Sequence, residues 1–167
     1  RVAILEGKEI APGESGLVQL VLDEPIGALW GDRLILRDQS ARHTVAGGKV
    51  IDPFSPARGR GRPERIETIK TLELSDPGTA LSALLDQALA GVELEPFARS
   101  RNLTPAEATE LWRQTSMTRV GRAEAPIGVS ETRWNSLSED SISALGEWHR
   151  SHPGDPGPTE DQLQRRM

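Results

Sequence analysis

Hydrophobic and polar positions follow two different periods along this chain. Leu17 to Leu22 and Leu34 to Leu36 are short apolar runs, and Thr44 to Ile51 is an extended stretch with glycines inside it. Turn signals at Pro12-Gly13, Glu24-Pro25 and Gly31-Asp32 separate them, which predicts antiparallel strands. Glycine within a strand marks a bulge or a close backbone approach, so a kink is expected at Gly47-Gly48. No helical period of useful length occurs in this half.

Beyond a Pro/Gly-rich stretch the period changes. Ile66, Ile69 and Leu72, and then Leu81, Leu84, Leu85, Ala88 and Leu89, fall at helical spacing. Pro63 suits the first position of a helix. Phe97 fits a short helix. Thr104-Pro105-Ala106-Glu107 is a capping box that opens a helix holding Ala108, Leu111 and Trp112. Met117 to Val120 and Pro126 to Val129 predict a two-stranded ribbon. Helices followed by a β-ribbon give the winged-helix order. Trp134, Leu137, Ile142, Leu145 and Trp148 predict one face of a further long helix. A turn-rich loop from His152 to Pro158 follows, and Thr159-Glu160-Asp161-Gln162 predicts another capped helix. Arg1 sits in what reads as a strand and Met167 in what reads as a helix, so both ends read as cuts in a longer chain.

The expected organisation is therefore a β-structured part over 1–54 and a basic Pro/Gly linker over 55–62. A first winged-helix unit follows over 63–129, then the start of a second over 130–167. The fold class is mixed, antiparallel β followed by α+β.

Composition narrows the chemistry. No cysteine is present, which excludes disulfides, zinc-thiolate sites and thiol catalysis. No stretch reaches the roughly 18 to 20 apolar residues of a membrane span. Net charge is −5, but residues 1–62 are slightly positive, and the acidic excess lies in 63–167. The second half is a poor general match for a phosphate backbone. The presumed recognition helix after Thr104 carries Glu107, Glu110 and one arginine, Arg113, which is wrong for a DNA groove. Gly47-Gly48-Lys49-Val50 lacks the spacing and the Ser or Thr of a phosphate loop. His149 and His152 have helical metal-ligand spacing, but no further histidine or cysteine is near, and a structural role is expected. Neither a catalytic residue nor a metal site is predicted.

Two stretches carry a family resemblance. One comprises Pro12-Gly13-Glu14-Ser15-Gly16, Gln19 to Pro25 and Gly31 to Arg42, then Thr44-Val45-Ala46-Gly47-Gly48 and Asp52-Pro53. It resembles the end of the third domain of the bacterial selenocysteine-specific elongation factors (SelB) and, more distantly, the matching barrel of elongation factor Tu. The other is Trp148-His149, His152-Pro153, Gly157 and Gln162-Leu163, similar to the second winged helix of the SelB arm.

The resemblance implies a partial antiparallel β-barrel followed by winged-helix modules. It implies a cytoplasmic, GTP-dependent factor that delivers selenocysteinyl-tRNA to the ribosome at UGA codons. GTP and magnesium would bind in the intact parent and no cofactor in this segment, which is tRNA-facing and connecting rather than catalytic. A messenger hairpin would be held by a later module. By position, Arg37, Arg42, Thr44, Gly47 and Gly48 face tRNA, since arginines hold phosphates by paired donors and glycines admit an RNA backbone.

The residues alone leave alternatives open. Arg37 can instead pair with Asp38 or Asp32, and the glycines can simply shape a bulge. Arg58, Arg60 and Arg62 are further candidate RNA contacts, or a solvated, flexible linker. The family usually has three glycines after the threonine, and Ala46 replaces the first. A positive φ there would cost alanine about 1 kcal/mol or more. The rival functions are a winged-helix nucleic-acid-binding regulator, and a scaffold protein without GTPase function.

Overall fold

The computed structural model describes residues 1–165. Arg166 and Met167, the end of the last expected helix, lie outside the described residues. The amino-terminal part forms two antiparallel ribbons. Strands β1 (Val2–Ile4) and β2 (Val18–Leu20) pair with Ala3 opposite Gln19. Strands β3 (Arg33–Arg37) and β4 (Thr44–Lys49) pair with Ile35 opposite Gly47. Among the described residues these ribbons do not close into a barrel, because each has only two strands and so keeps both outer edges unpaired.

Helix α1 (Pro63–Leu72) starts on its proline and buries Ile66 and Ile69. Helix α2 (Pro77–Gln87) is capped by Asp76, whose carboxylate accepts from the Thr79 amide and hydroxyl, both at 2.7 Å. Strand β5 (Val92–Glu93) leads into helix α3 (Leu94–Ser100). The expected capping box opens helix α4 (Pro105–Gln114): the Thr104 amide donates to Glu107 at 2.8 Å, and the Glu107 amide donates back to the Thr104 hydroxyl. Strands β6 (Met117–Arg122) and β7 (Ala125–Ser130) form the expected ribbon, to which β5 adds a third strand in the order β5-β7-β6.

The core lies where these helices meet the sheet. Ala80, Leu81, Leu84, Leu85, Leu94 and Phe97 are buried together, with Leu72, Leu111, Trp112 and Met117 packed against them. Gly128 on β7 permits this closeness. A Cβ there would stand 2.8 Å from Met117 Sδ and 3.0 Å from Leu94 Cδ2, inside normal contact.

Two sequence expectations fail here for local reasons. Leu89 does not extend the apolar face of α2. The chain leaves the helix at Ala88 in an extended conformation, and Leu89 is 77% exposed. On helix α5 (Glu131–Ser151) the buried side is Ala144 and Trp148, with Ile142 70% exposed. At 100° per residue, Ile142 stands about 140° round the helix from Leu137, so the two cannot share a face. His152 follows and stacks on Trp148, with ring centroids 4.1 Å apart. Helix α6 (Glu160–Gln164) has the expected capping box at Thr159.

The Thr79 amide, and then its hydroxyl, hold the Asp76 carboxyl below its ordinary value. A lowered folded value stabilises the protein above the unfolded value of about 3.9 and is lost as pH falls through the folded one. The thermal midpoint is therefore expected to fall on acidification below about pH 4. An Asp76→Asn variant should show a shallower fall over the same window, read by circular dichroism at each pH.

Candidate nucleic-acid interface

Alternation along β3 puts Arg33, Ile35 and Arg37 on its exposed side and leaves Leu34 and Leu36 half-buried. Register then sets Lys49 opposite Arg33, Gly47 opposite Ile35 and Thr44 opposite Arg37. The ribbon thus presents three cations and a hydroxyl on residues that share its outer side, with Gly47 adding no side chain between them. Gly48 packs the inner side instead, where a Cβ would stand 3.3 Å from Leu34 Cδ1.

The tip of the ribbon is organised by Asp38. Its carboxylate accepts from the Ser40 hydroxyl at 2.7 Å, the Arg42 amide at 2.9 Å and the His43 amide at 3.2 Å. The Ser40 hydroxyl, and next the His43 amide, hold the Asp38 carboxyl below its ordinary value. Asp38 is therefore committed to the loop and does not pair with Arg37. Asp32 is likewise engaged, accepting from the Leu29 amide at 2.8 Å. Arg37 instead reaches the Ala41 carbonyl at 3.3 Å. The Arg42 side chain is exposed and has no hydrogen-bond or ion-pair partner among the described residues.

The bulge is not where the glycines suggest. The register shifts between Leu36 and Arg37, whose partners are Ala46 and Thr44, so Val45 is the extra residue. Ala46, Gly47 and Gly48 all have ordinary negative φ. Alanine in place of the first glycine is therefore unstrained.

The stretch from Asp52 to Arg62 is tied down rather than free. Asp52 pairs with Arg65, and the Gln19 side chain donates to the Pro56 carbonyl at 3.0 Å. Within this stretch Arg58 and Arg62 are exposed and Arg60 is half-buried beside Arg1, Gln19 and Ser55. Helix α4 shows the acidic face expected of it, with Arg113 neutralised by Glu110 at 2.6 Å. Sequence reasoning missed Arg33 and Lys49. The period-two step from Arg37 to Arg33 was the available signal for one, and register across the ribbon was needed for the other.

Comparison with known proteins bears on this ribbon directly. Residues 1–57 match the family described as selenocysteine-specific elongation factor, beta-barrel domain. Over 155 residues the chain is 33% identical to the selenocysteine-specific elongation factor of Escherichia coli K12, covering 91% of this chain and 24% of that protein. The protein of the same name from Desulfomicrobium baculatum is 27% identical over 169 residues, covering 98% of this chain and 26% of the relative. The chain thus spans about a quarter of the length of these relatives. These matches place the chain in the elongation-factor class. Within that class, the chain belongs to the selenocysteine-specific elongation factor (SelB) family.

Proposed function

We propose that this chain is the tRNA-facing and connecting segment of a GTP-dependent elongation factor that delivers selenocysteinyl-tRNA to the ribosome at UGA codons. The observation that carries the reading is the outer side of the β3–β4 ribbon with its tip loop, where Arg37, Thr44 and the loop residue Arg42 are exposed within the stretch that matches the family. Arginines on a fixed ribbon engage phosphates by paired donors, and the Thr44 hydroxyl suits a ribose or phosphate oxygen. Gly47, with no Cβ, lets an RNA backbone approach. Arg58 and Arg62 extend the basic surface along the connection.

In this reading residues 1–54 are the last part of a β-barrel domain and 55–62 the connection. Residues 63–129 are a first winged helix and 130–167 the start of a second. The α4 face, acidic and with its one arginine paired, suits a spacer better than a groove reader. That disfavours a DNA-binding regulator. The arm would tether the factor to a messenger hairpin through a later module, which raises the local concentration of the charged tRNA at one codon. GTP and magnesium would bind elsewhere in the parent. The glycine-lysine sequence of β4 does not form a phosphate loop, so no hydrolytic step is assigned to these residues.

The test is complementation. A bacterial strain lacking its selenocysteine elongation factor, carrying a reporter with an in-frame UGA and its cognate hairpin, receives the parent gene. Selenium-dependent full-length reporter is expected. Absence of readthrough, with the protein expressed and soluble, would favour the scaffold reading.

A further inference from the structure

One side chain joins the ribbon to the helical unit. Trp30 precedes β3 and is half-buried. Its amide donates to the Ser100 carbonyl at the end of α3, at 2.7 Å. Its indole Nε1–H donates to the Leu72 carbonyl at the end of α1, also at 2.7 Å. Arg101 closes the same point from the helical side. Its guanidinium lies 4.2 Å from the Trp30 ring centroid and donates to the Leu72 carbonyl at 2.9 Å and the Leu74 carbonyl at 2.8 Å. Lys49, at the end of β4, places its ammonium 4.5 Å from the same ring. The base of the ribbon is locked beside it: the Gly31 amide donates to the Val50 carbonyl and the Val50 amide to the Asp32 carbonyl, both at 2.8 Å.

Trp30 thus touches both strand ends of the ribbon and the ends of two helices. Its indole donor is matched with the Leu72 carbonyl that ends α1, and its amide with the Ser100 carbonyl that ends α3. The peripheral contacts agree: Asp52 with Arg65, Glu6 with Lys70 at 3.2 Å, and Arg99 over Phe54 at 5.2 Å. A flexible Pro/Gly linker would need none of these.

We infer that Trp30 and Arg101 form a rigid joint that fixes the β3–β4 ribbon on the helical unit, so that the two reorient as one body. Trp30 is then a positioning residue. It sets the direction in which the helical unit leaves the RNA-facing ribbon, and a pull on one is felt by the other. The mechanical claim stands on the contacts alone; its meaning for tRNA delivery rests on the function proposed above.

Residual dipolar couplings on the isotopically labelled 167-residue chain test the joint directly. Backbone amides of the β3–β4 ribbon and of α1 to α4 should fit a single alignment tensor. Trp30→Ala should lose the common tensor while the α2 and β7 chemical shifts stay in place. If Trp30→Ala also disperses the ribbon's own shifts, Trp30→Phe and Arg101→Met decide. The first keeps a ring without the indole donor, and the second removes the cation from the helical side. Both should separate the tensors. Glu6→Gln, which breaks only an exposed ion pair, should leave one tensor. Two tensors in the unaltered chain, or one unchanged tensor in Trp30→Phe and Arg101→Met alike, would overturn the inference. No RNA enters the experiment, so its failure leaves the tRNA reading standing, and failed complementation leaves the joint standing.

Discussion

Leu94→Ala is expected to destabilise the helical unit by about 2–5 kcal/mol. Leu94 is fully buried at the first position of α3, in one cluster with Leu81, Leu84, Leu85 and Phe97. Truncation removes its transfer free energy and leaves a cavity whose walls are poorly able to move in. On one side stands Gly128, which has no side chain to repack. On another, Phe97 is held against Trp112 with ring centroids 6.4 Å apart. Urea unfolding followed by far-ultraviolet circular dichroism reads the loss as a lower midpoint with an unchanged slope. Leu89→Ala is the matched control. Leu89 is 77% exposed, so its truncation should change stability by no more than about 0.5 kcal/mol. Equal losses from the two would mean that the core has been misplaced.

That contrast shows what the sequence could and could not reveal. Leu81, Leu84 and Leu85 repeat at helical spacing and are buried as the spacing predicts. Leu89 continues the same arithmetic but falls beyond the helix end, because Ala88 turns to an extended conformation. Spacing cannot report where a helix stops when no capping signal marks the place. Helix starts are better marked: the N-cap boxes at Thr104 and Thr159 were legible from four residues each, being local hydrogen bonds. Ile142 shows the opposite hazard, an apolar residue near the periodic face but turned away from it.

The candidate interface divides along the same line. Arg37, Arg42 and Thr44 could be named by resemblance, and they are exposed. The resemblance does not give their neighbours across the ribbon, because Lys49 meets Arg33 only through strand register. Nor could composition settle whether Asp38 pairs with Arg37. The answer depends on a loop in which Asp38 is already occupied by Ser40 and two backbone amides. Trp30 gave no sign of its part in the joint, since its partners Ser100, Leu72 and Arg101 come from distant stretches of chain.

The second large effect concerns RNA. Among the described residues Arg42 is exposed with no partner for its side chain, and Arg37 makes one long bond to the Ala41 carbonyl. Neither supports the fold, so Arg37→Gln with Arg42→Gln should leave the unfolding midpoint unchanged. If each arginine neutralises a phosphate, its removal lowers the dependence of log affinity on log salt by about 0.7 to 0.9. The pair should therefore weaken binding at low salt and flatten the slope by about 1.4 to 1.8. Lys8→Gln, on an exposed turn outside the ribbon, should change neither.

The most direct measurement is the salt dependence of selenocysteinyl-tRNA binding by the intact factor, with and without Arg37→Gln and Arg42→Gln. The account predicts weaker binding at low salt for the double variant, with a shallower slope and an undisturbed fold. Unchanged affinity and slope would show that the β3–β4 ribbon does not face tRNA.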